Sequence, residues 1–402
     1  MRSEAKIPRL DYLDGLRAIA ALYVVVHHMS REIWPNATPE GPYRFVTLPL
    51  SYGHMAVDWF IVLSGFCLML QVVKANGELR GGALEFFRRR ARRILPPYYA
   101  AVFVSLVLIK FLISQPTGTP WDDCIAITRW GLISHLLLLH DFYTPHWFVY
   151  SQIDHPLWSV ALEWHIYLLF PAMVWMWKRV GGIAATGITF IGVAIAVLGI
   201  HFTPVRILCL NYVALFAMGV AACAAAFSDI APWPAIRKRA PLRIVALLSL
   251  VATIFLMNRF TDRDLGSQLT DPAMGLCAAA VLVWVSISHT SPLRSLLQWR
   301  PLVALGTMSY SLYLIHAPLI QLIWQYALRP MHLNSLQQFF ALVSIGMVGV
   351  IGGSWLFFQA FERPFLSSKR TASSNAESAR PVPVSAYSPS SSGNNQPQMG
   401  HR

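Results

Sequence analysis

Arg17 and His28 lie eleven residues apart in the first apolar run, DYLDGLRAIAALYVVVHHMS. At about 100° per residue, eleven steps come within ~20° of three full turns, so one helix face carries both side chains, ~16 Å apart along the axis. A guanidinium at one end of a face can polarise a bound group. An imidazole toward the other end can take a proton. His27 points ~100° away from His28.

Two carboxylates are expected at a similar depth on other runs. Asp58 falls early in YGHMAVDWFIVLSGF, and Glu163 falls early in HPLWSVALEWHIYLLFP. An imidazole oriented by a carboxylate is the usual arrangement for removing a proton from a hydroxyl. Either Asp58 or Glu163 fits that role, and the other would then support Arg17 or a helix end. Tyr167, four residues past Glu163, shares its face; His165 faces elsewhere. Ser64 is not read as a nucleophile, because GxSxG and its strand-to-helix elbow are absent. Ser64 and Gly65 instead permit close helix approach. Asp14 is placed to cap the start of the first helix.

The segment FFRRRARRILPPYY holds Arg88, Arg89, Arg90, Arg92 and Arg93 immediately before a third apolar run, with Pro96 and Pro97 in its first turn or breaking it. Five guanidiniums exceed what orientation in a membrane requires. Their forks match phosphate oxygens, and the diphosphate and 3′-phosphate of coenzyme A are suitable partners. Contact with anionic lipid is the simpler use. No Walker loop or dinucleotide fingerprint supports ATP or NAD. Late in the chain, LVALGTMSYSLYLIHAPLI crowds Ser309, Tyr310, Ser311, Tyr313 and His316 into one apolar run, which suggests a polar channel or acceptor surface; Pro318 is expected to kink that helix. Glu362 and Pro364 read as a helix stop with a local ion pair.

The elements that position these residues are helices in lipid. Of 402 residues, 55% are hydrophobic and 13% charged, with mean hydropathy +0.48. A water-exposed surface needs roughly 25% charged residues. Membrane spans need about 20 apolar residues each, and their backbone groups must be bonded within the helix. The expected fold is all-α, a polytopic membrane protein with about ten transmembrane helices at 14–30, 55–74, 94–115, 156–177, 182–200, 206–227, 242–258, 273–289, 306–326 and 336–360. The piece LISHLLLLH is too short to cross.

Lys and Arg favour alternate loops by about three to one, which predicts both termini on the cytoplasmic side. The same distribution explains the +13 charge through topology and leaves no case for nucleic acid. The five cysteines have no metal-ligand spacing, and their odd number argues against a disulfide framework. No metal and no removable signal peptide is expected. Residues 1–366 form the transmembrane domain; 367–402, rich in Ser, Pro and Asn, are expected to be a disordered cytoplasmic tail.

The ordered set GLRAIAALYVVVHH, VDWFIVLSGF, FFRRRARRILPPYY, PLWSVALEWHIYLLFP, LGTMSYSLYLIHAP and FERP resembles the membrane-bound acyltransferase 3 family, the group containing bacterial O-acetyltransferases of envelope polysaccharides. The likeness covers nearly the whole hydrophobic body. It implies about ten helices in the bacterial cytoplasmic membrane, an acyl-CoA donor (acetyl-CoA the commonest) and a hydroxyl acceptor on a carbohydrate or glycosylated molecule. It marks Arg17 and His28 as the required pair and matches Arg89, Arg90 and Arg93 to the family's basic motif. Trp164-His165 departs from the usual pattern of the fourth run. Some relatives carry a fused extracytoplasmic esterase-like domain; without one, this chain would acylate a smaller or lipid-linked acceptor or pass the group to a separate extracytoplasmic transferase. His28 would act as general base or as a covalent acyl carrier. A transporter or flippase of a polar or amphiphilic solute is the alternative, since ionisable residues inside a membrane also mark transport pathways.

Overall fold

The computed structural model describes residues 10–35, 48–142, 151–200, 210–259 and 263–366, and these are helical with no strand among them. Cys209 and the 367–402 tail lie outside the described residues. The helices that matter for the site are α1 (Asp11–Ile33), α2 (His54–Lys74), α3 (Gly82–Phe111), the short α4 (Arg129–Leu136), α5 (Trp158–Val180), α6 (Gly182–Ile200), α7 (Leu210–Phe227), α8 (Leu242–Arg259), α9 (Arg263–Ile287), α10 (Arg300–Thr307), α11 (Ser309–Ile323) and α12 (Met347–Phe357).

Among the described residues, six helices are long and apolar enough to cross a membrane: α2, α3, His155–Val180, α7, Leu269–Ile287 and Ser335–Phe365. Two bent pairs raise the number to eight. Trp233–Arg239 meets Leu242–Met257 at 79°, and Arg300–Thr307 meets Ser309–Met331 at 75°. The sequence expectation of about ten also included 14–30 and 182–200. Both are helical, but α1 is diluted by Asp14, Arg17, His27 and His28, and the apolar stretch Gly182–Ala196 is short. α4 is eight residues long, in keeping with a segment that does not cross.

Three expectations about helix ends are corrected. α1 starts at Asp11, so Asp14 lies inside its first turns and pairs with Arg17 instead of capping. α3 runs unbroken through the arginine block and both prolines, beginning twelve residues before the expected span at 94. α11 continues through Pro318, and its break is at Met308, before the helix. Glu362 stabilises that break: its Oε2 accepts from the Ser311 backbone N–H at 3.1 Å and from the Ser311 hydroxyl at 2.5 Å. A carboxylate at a helix start satisfies an otherwise orphaned N–H and complements the helix dipole.

α1 packs against α2, α10 and α11, while α7 and α9 pack on the other side of α2. Small residues set these approaches. Gly65 of α2 faces the Phe216 carbonyl of α7, and Gly219 of α7 faces the Val62 carbonyl of α2. Gly306 of α10 lies directly against the Asp14 carbonyl of α1, where an added Cβ would overlap backbone. Gly306→Ala is therefore expected to force α1 and α10 apart at a cost of about 1–3 kcal/mol. A thermal-inactivation scan of the detergent-purified protein checks this, and an unchanged midpoint would contradict the packing.

Candidate functional site

A cavity of about 280 Å³ opens where α1, α2, α3, α5, α10 and α11 meet. Arg17, Arg90, Arg93, Glu163, Ser309, Tyr310 and Tyr313 line it, together with Asp14, Ser64, Cys67, Ser159, Tyr167 and Glu362. On α2 the lining residues Val57, Phe60, Ile61, Ser64, Cys67, Leu68 and Gln71 follow helical spacing. Arg17 is held at both ends of its fork. Nη1 bonds the Asp14 carboxylate at 3.0 Å, and Nη2 donates to Cys67 Sγ at 3.1 Å.

The arginine block divides by face. Arg90 and Arg93, at i and i+3, reach the cavity. The Arg90 guanidinium lies 5.9 Å from the Phe86 ring centroid and 6.0 Å from that of Tyr167, and its Nε has no hydrogen-bond partner. Arg88 and Arg89 pair instead with Glu85 on the exposed side, and Arg92 is also exposed. Only two of the five expected phosphate ligands therefore line the cavity.

Glu163 is not beside His28. It lies eight residues past His155, ~12 Å along α5, and its Oε1 accepts from the Ser64 hydroxyl at 2.5 Å and from the Tyr167 hydroxyl. Asp58 is not there either. It occupies the α2 face shared with Val62 and Gly65, wholly buried next to Asp271 of α9, and neither of its oxygens has a hydrogen-bond partner. The expected imidazole–carboxylate pair is absent. His165 does have a carboxylate partner, Asp141, at 2.8 Å, away from the cavity lining.

His28 sits in a group of imidazoles outside the cavity lining, behind Tyr313. Its ring centroid is 4.9 Å from His27, 4.6 Å from His155 and 5.0 Å from His316. His316 is 5.7 Å from Tyr313, whose ring forms part of the cavity wall. The Tyr313 hydroxyl is tied to Ser159 Oγ at 2.6 Å and to the Pro156 carbonyl at 3.1 Å. His316 Nδ1 must donate to the Tyr313 carbonyl at 2.7 Å, because a carbonyl only accepts. That leaves Nε2 of His316 with its lone pair and no partner, in a fully buried ring. Arg17 and the His28 group are thus joined by one wall, Tyr313 followed by His316. His155 and Glu362 were not expected at the site from sequence. Depth could have located His155: α1 reaches His28 as the strand of chain entering α5 returns at the same level. Among the described residues no group of His, Cys, Asp and Glu is arranged to hold a metal.

Residues 10–359 match the acyltransferase domain family. The chain belongs to this acyltransferase family. Members similar to it include the putative peptidoglycan O-acetyltransferase YrhL of Bacillus subtilis strain 168, 27% identical over 337 residues, covering 77% of this chain and 48% of YrhL. O-acetyltransferase OatA of Staphylococcus aureus strain NCTC 8325 is 26% identical over 340 residues, covering 79% of this chain and 51% of OatA. Peptidoglycan O-acetyltransferase OatA of Listeria monocytogenes is 26% identical over 331 residues, covering 77% and 49%. The acyltransferase chain spans about half the length of these relatives. No solved structure matches it.

Proposed function

We propose that this chain is an O-acyltransferase of the bacterial cytoplasmic membrane that moves an acetyl group from acetyl-CoA to a hydroxyl of a peptidoglycan-type glycan. The observation that carries the reading is the arginine-lined cavity bounded by Tyr313, behind which His316 and then His28 follow in ring contact. In this reading ten helices cross the membrane, both termini are cytoplasmic, and the Arg17 end faces the cytoplasm.

The donor enters at Arg93. Its phosphates meet Arg90 and Arg93, Arg17 guides the donor's arm as it passes, and its thioester reaches beyond Tyr313 to the His28 level. The acceptor hydroxyl approaches from the His28 side. His28 takes the hydroxyl proton as oxygen attacks the thioester carbon; the carbon–sulfur bond breaks and the departing thiolate regains a proton. Acyl-histidine formation at the same ring is the two-step form of this route. The named activities of the relatives favour a glycan acceptor. A separate extracytoplasmic transferase is a suitable final carrier for polymer in this reading.

The test uses purified protein in nanodiscs, carbon-labelled acetyl-CoA and soluble peptidoglycan fragments. Acceptor-dependent release of coenzyme A with one acetyl ester on the glycan is expected. Release of coenzyme A that ignores the acceptor, or no release, would contradict the reading.

A further inference from the structure

The base reading of His28 needs a group that fixes its tautomer, and among the described residues no carboxylate bonds it. Its side-chain hydrogen bond among these residues joins Nδ1 to Nε2 of His155 at 3.0 Å. His155 in turn has its Nδ1 3.5 Å from Cys124 Sγ. Both neighbours are built in place. Asp154–Leu157 turns tightly into α5, with the Leu157 N–H on the Asp154 carbonyl at 3.1 Å. The Ile153 N–H donates to the Cys124 carbonyl at 2.9 Å, which sets the cysteine opposite the histidine. Ile153 adopts φ 68°, a conformation unfavourable for a branched residue. The Asp154 side chain is buried and accepts from the Ser105 hydroxyl of α3 at 3.0 Å, so it ties the turn to α3 and does not bond the imidazole.

The chain Cys124–His155–His28 admits two proton arrangements. In one, Cys124 S–H donates to His155 Nδ1 and His155 Nε2–H donates to His28 Nδ1. His28 then carries its hydrogen on Nε2 and can only act as an acid there. In the other, His28 Nδ1–H donates to His155 Nε2 and His155 Nδ1–H points to the cysteine sulfur. His28 Nε2 then holds a lone pair and can accept the acceptor's proton.

We propose that His155 is the positioning residue for His28: a neutral imidazole, backed by Cys124, does what a carboxylate does in the familiar triads. It selects the Nδ1–H tautomer of His28 and accepts that hydrogen bond while His28 is doubly protonated. This inference rests on the proposed acyl transfer. The proton removed from the hydroxyl enters His28 Nε2 and leaves to the thiolate sulfur, so no group is consumed.

The test is steady-state acetyl transfer by the full-length protein. His155→Ala is expected to lower kcat ~100-fold, within the span of general acid–base effects, with the donor KM changed less than about threefold. His155→Gln, whose amide oxygen reproduces the acceptor at the Nε2 position, is expected to recover kcat to within about tenfold of the wild type. If His155→Ala does not accumulate as folded protein, His155→Leu fills the space without the hydrogen bond and takes its place. Equal losses in the Gln and apolar variants, or a loss seen in KM alone, would overturn the assignment. His28→Ala is measured in parallel. If it is inactive while the apolar His155 variant is fully active, only the role of His155 falls. If His28→Ala is itself fully active, the acyl-transfer role of His28 falls first.

Discussion

His28→Ala should lower acetyl transfer by ~1000-fold while leaving the protein folded and the donor bound. The magnitude follows from removing the proton acceptor, where general-base effects are typically about 10²–10⁴-fold. Retained folding is expected because His28 is only partly buried and, among the described residues, its side-chain hydrogen bond is to another imidazole. Donor affinity should survive because the arginines that line the cavity belong to a different level of the bundle. Single-turnover transfer, with bound donor measured separately, distinguishes these two quantities. A variant that transfers at the wild-type rate would remove His28 from the chemistry.

The second large effect is expected from the arginine block. Replacing Arg90 and Arg93 together by glutamine should raise the donor KM by ~100-fold with a smaller change in kcat. Each guanidinium–phosphate bond contributes about 1.5–3 kcal/mol. Replacing Arg88, Arg89 and Arg92 together should change KM by less than about threefold, since these side chains are exposed and Arg88 and Arg89 already pair with Glu85. Surface pairs of that kind contribute little. Donor titrations on the two triple and double variants measure both outcomes. Equal effects would mean that charge in bulk, and not cavity geometry, attracts the donor.

The spacing of Arg17 and His28 was legible because helix geometry alone relates two residues on one helix. Their neighbours were not. Asp58 and Ser64 sit six residues apart on α2 and turn ~120° from each other. Ser64 reaches the cavity, whereas Asp58 shares the Gly65 face that meets α7 and α9. Nothing within α2 says which stripe lines a cavity, because both are apolar and both are buried. The arginines pose the same problem in milder form: i,i+3 spacing pairs Arg90 with Arg93, but only the packing of α3 against α5 and α11 shows that this pair lines the cavity. Glu362 reads as a helix end from sequence because its partner, Ser311, lies fifty-one residues away, beside a helix break that composition does not reveal. His155 was passed over because it precedes the apolar run, although matching depths along α1 and α5 would have brought it level with His28.

Structure determination of the protein with a non-transferable thioether analogue of acetyl-CoA tests the account most directly. The diphosphate is expected on Arg90 and Arg93 and the acyl carbon beside Tyr313, facing His316 and His28. An analogue bound elsewhere, or one whose acyl end turns away from Tyr313, would contradict it.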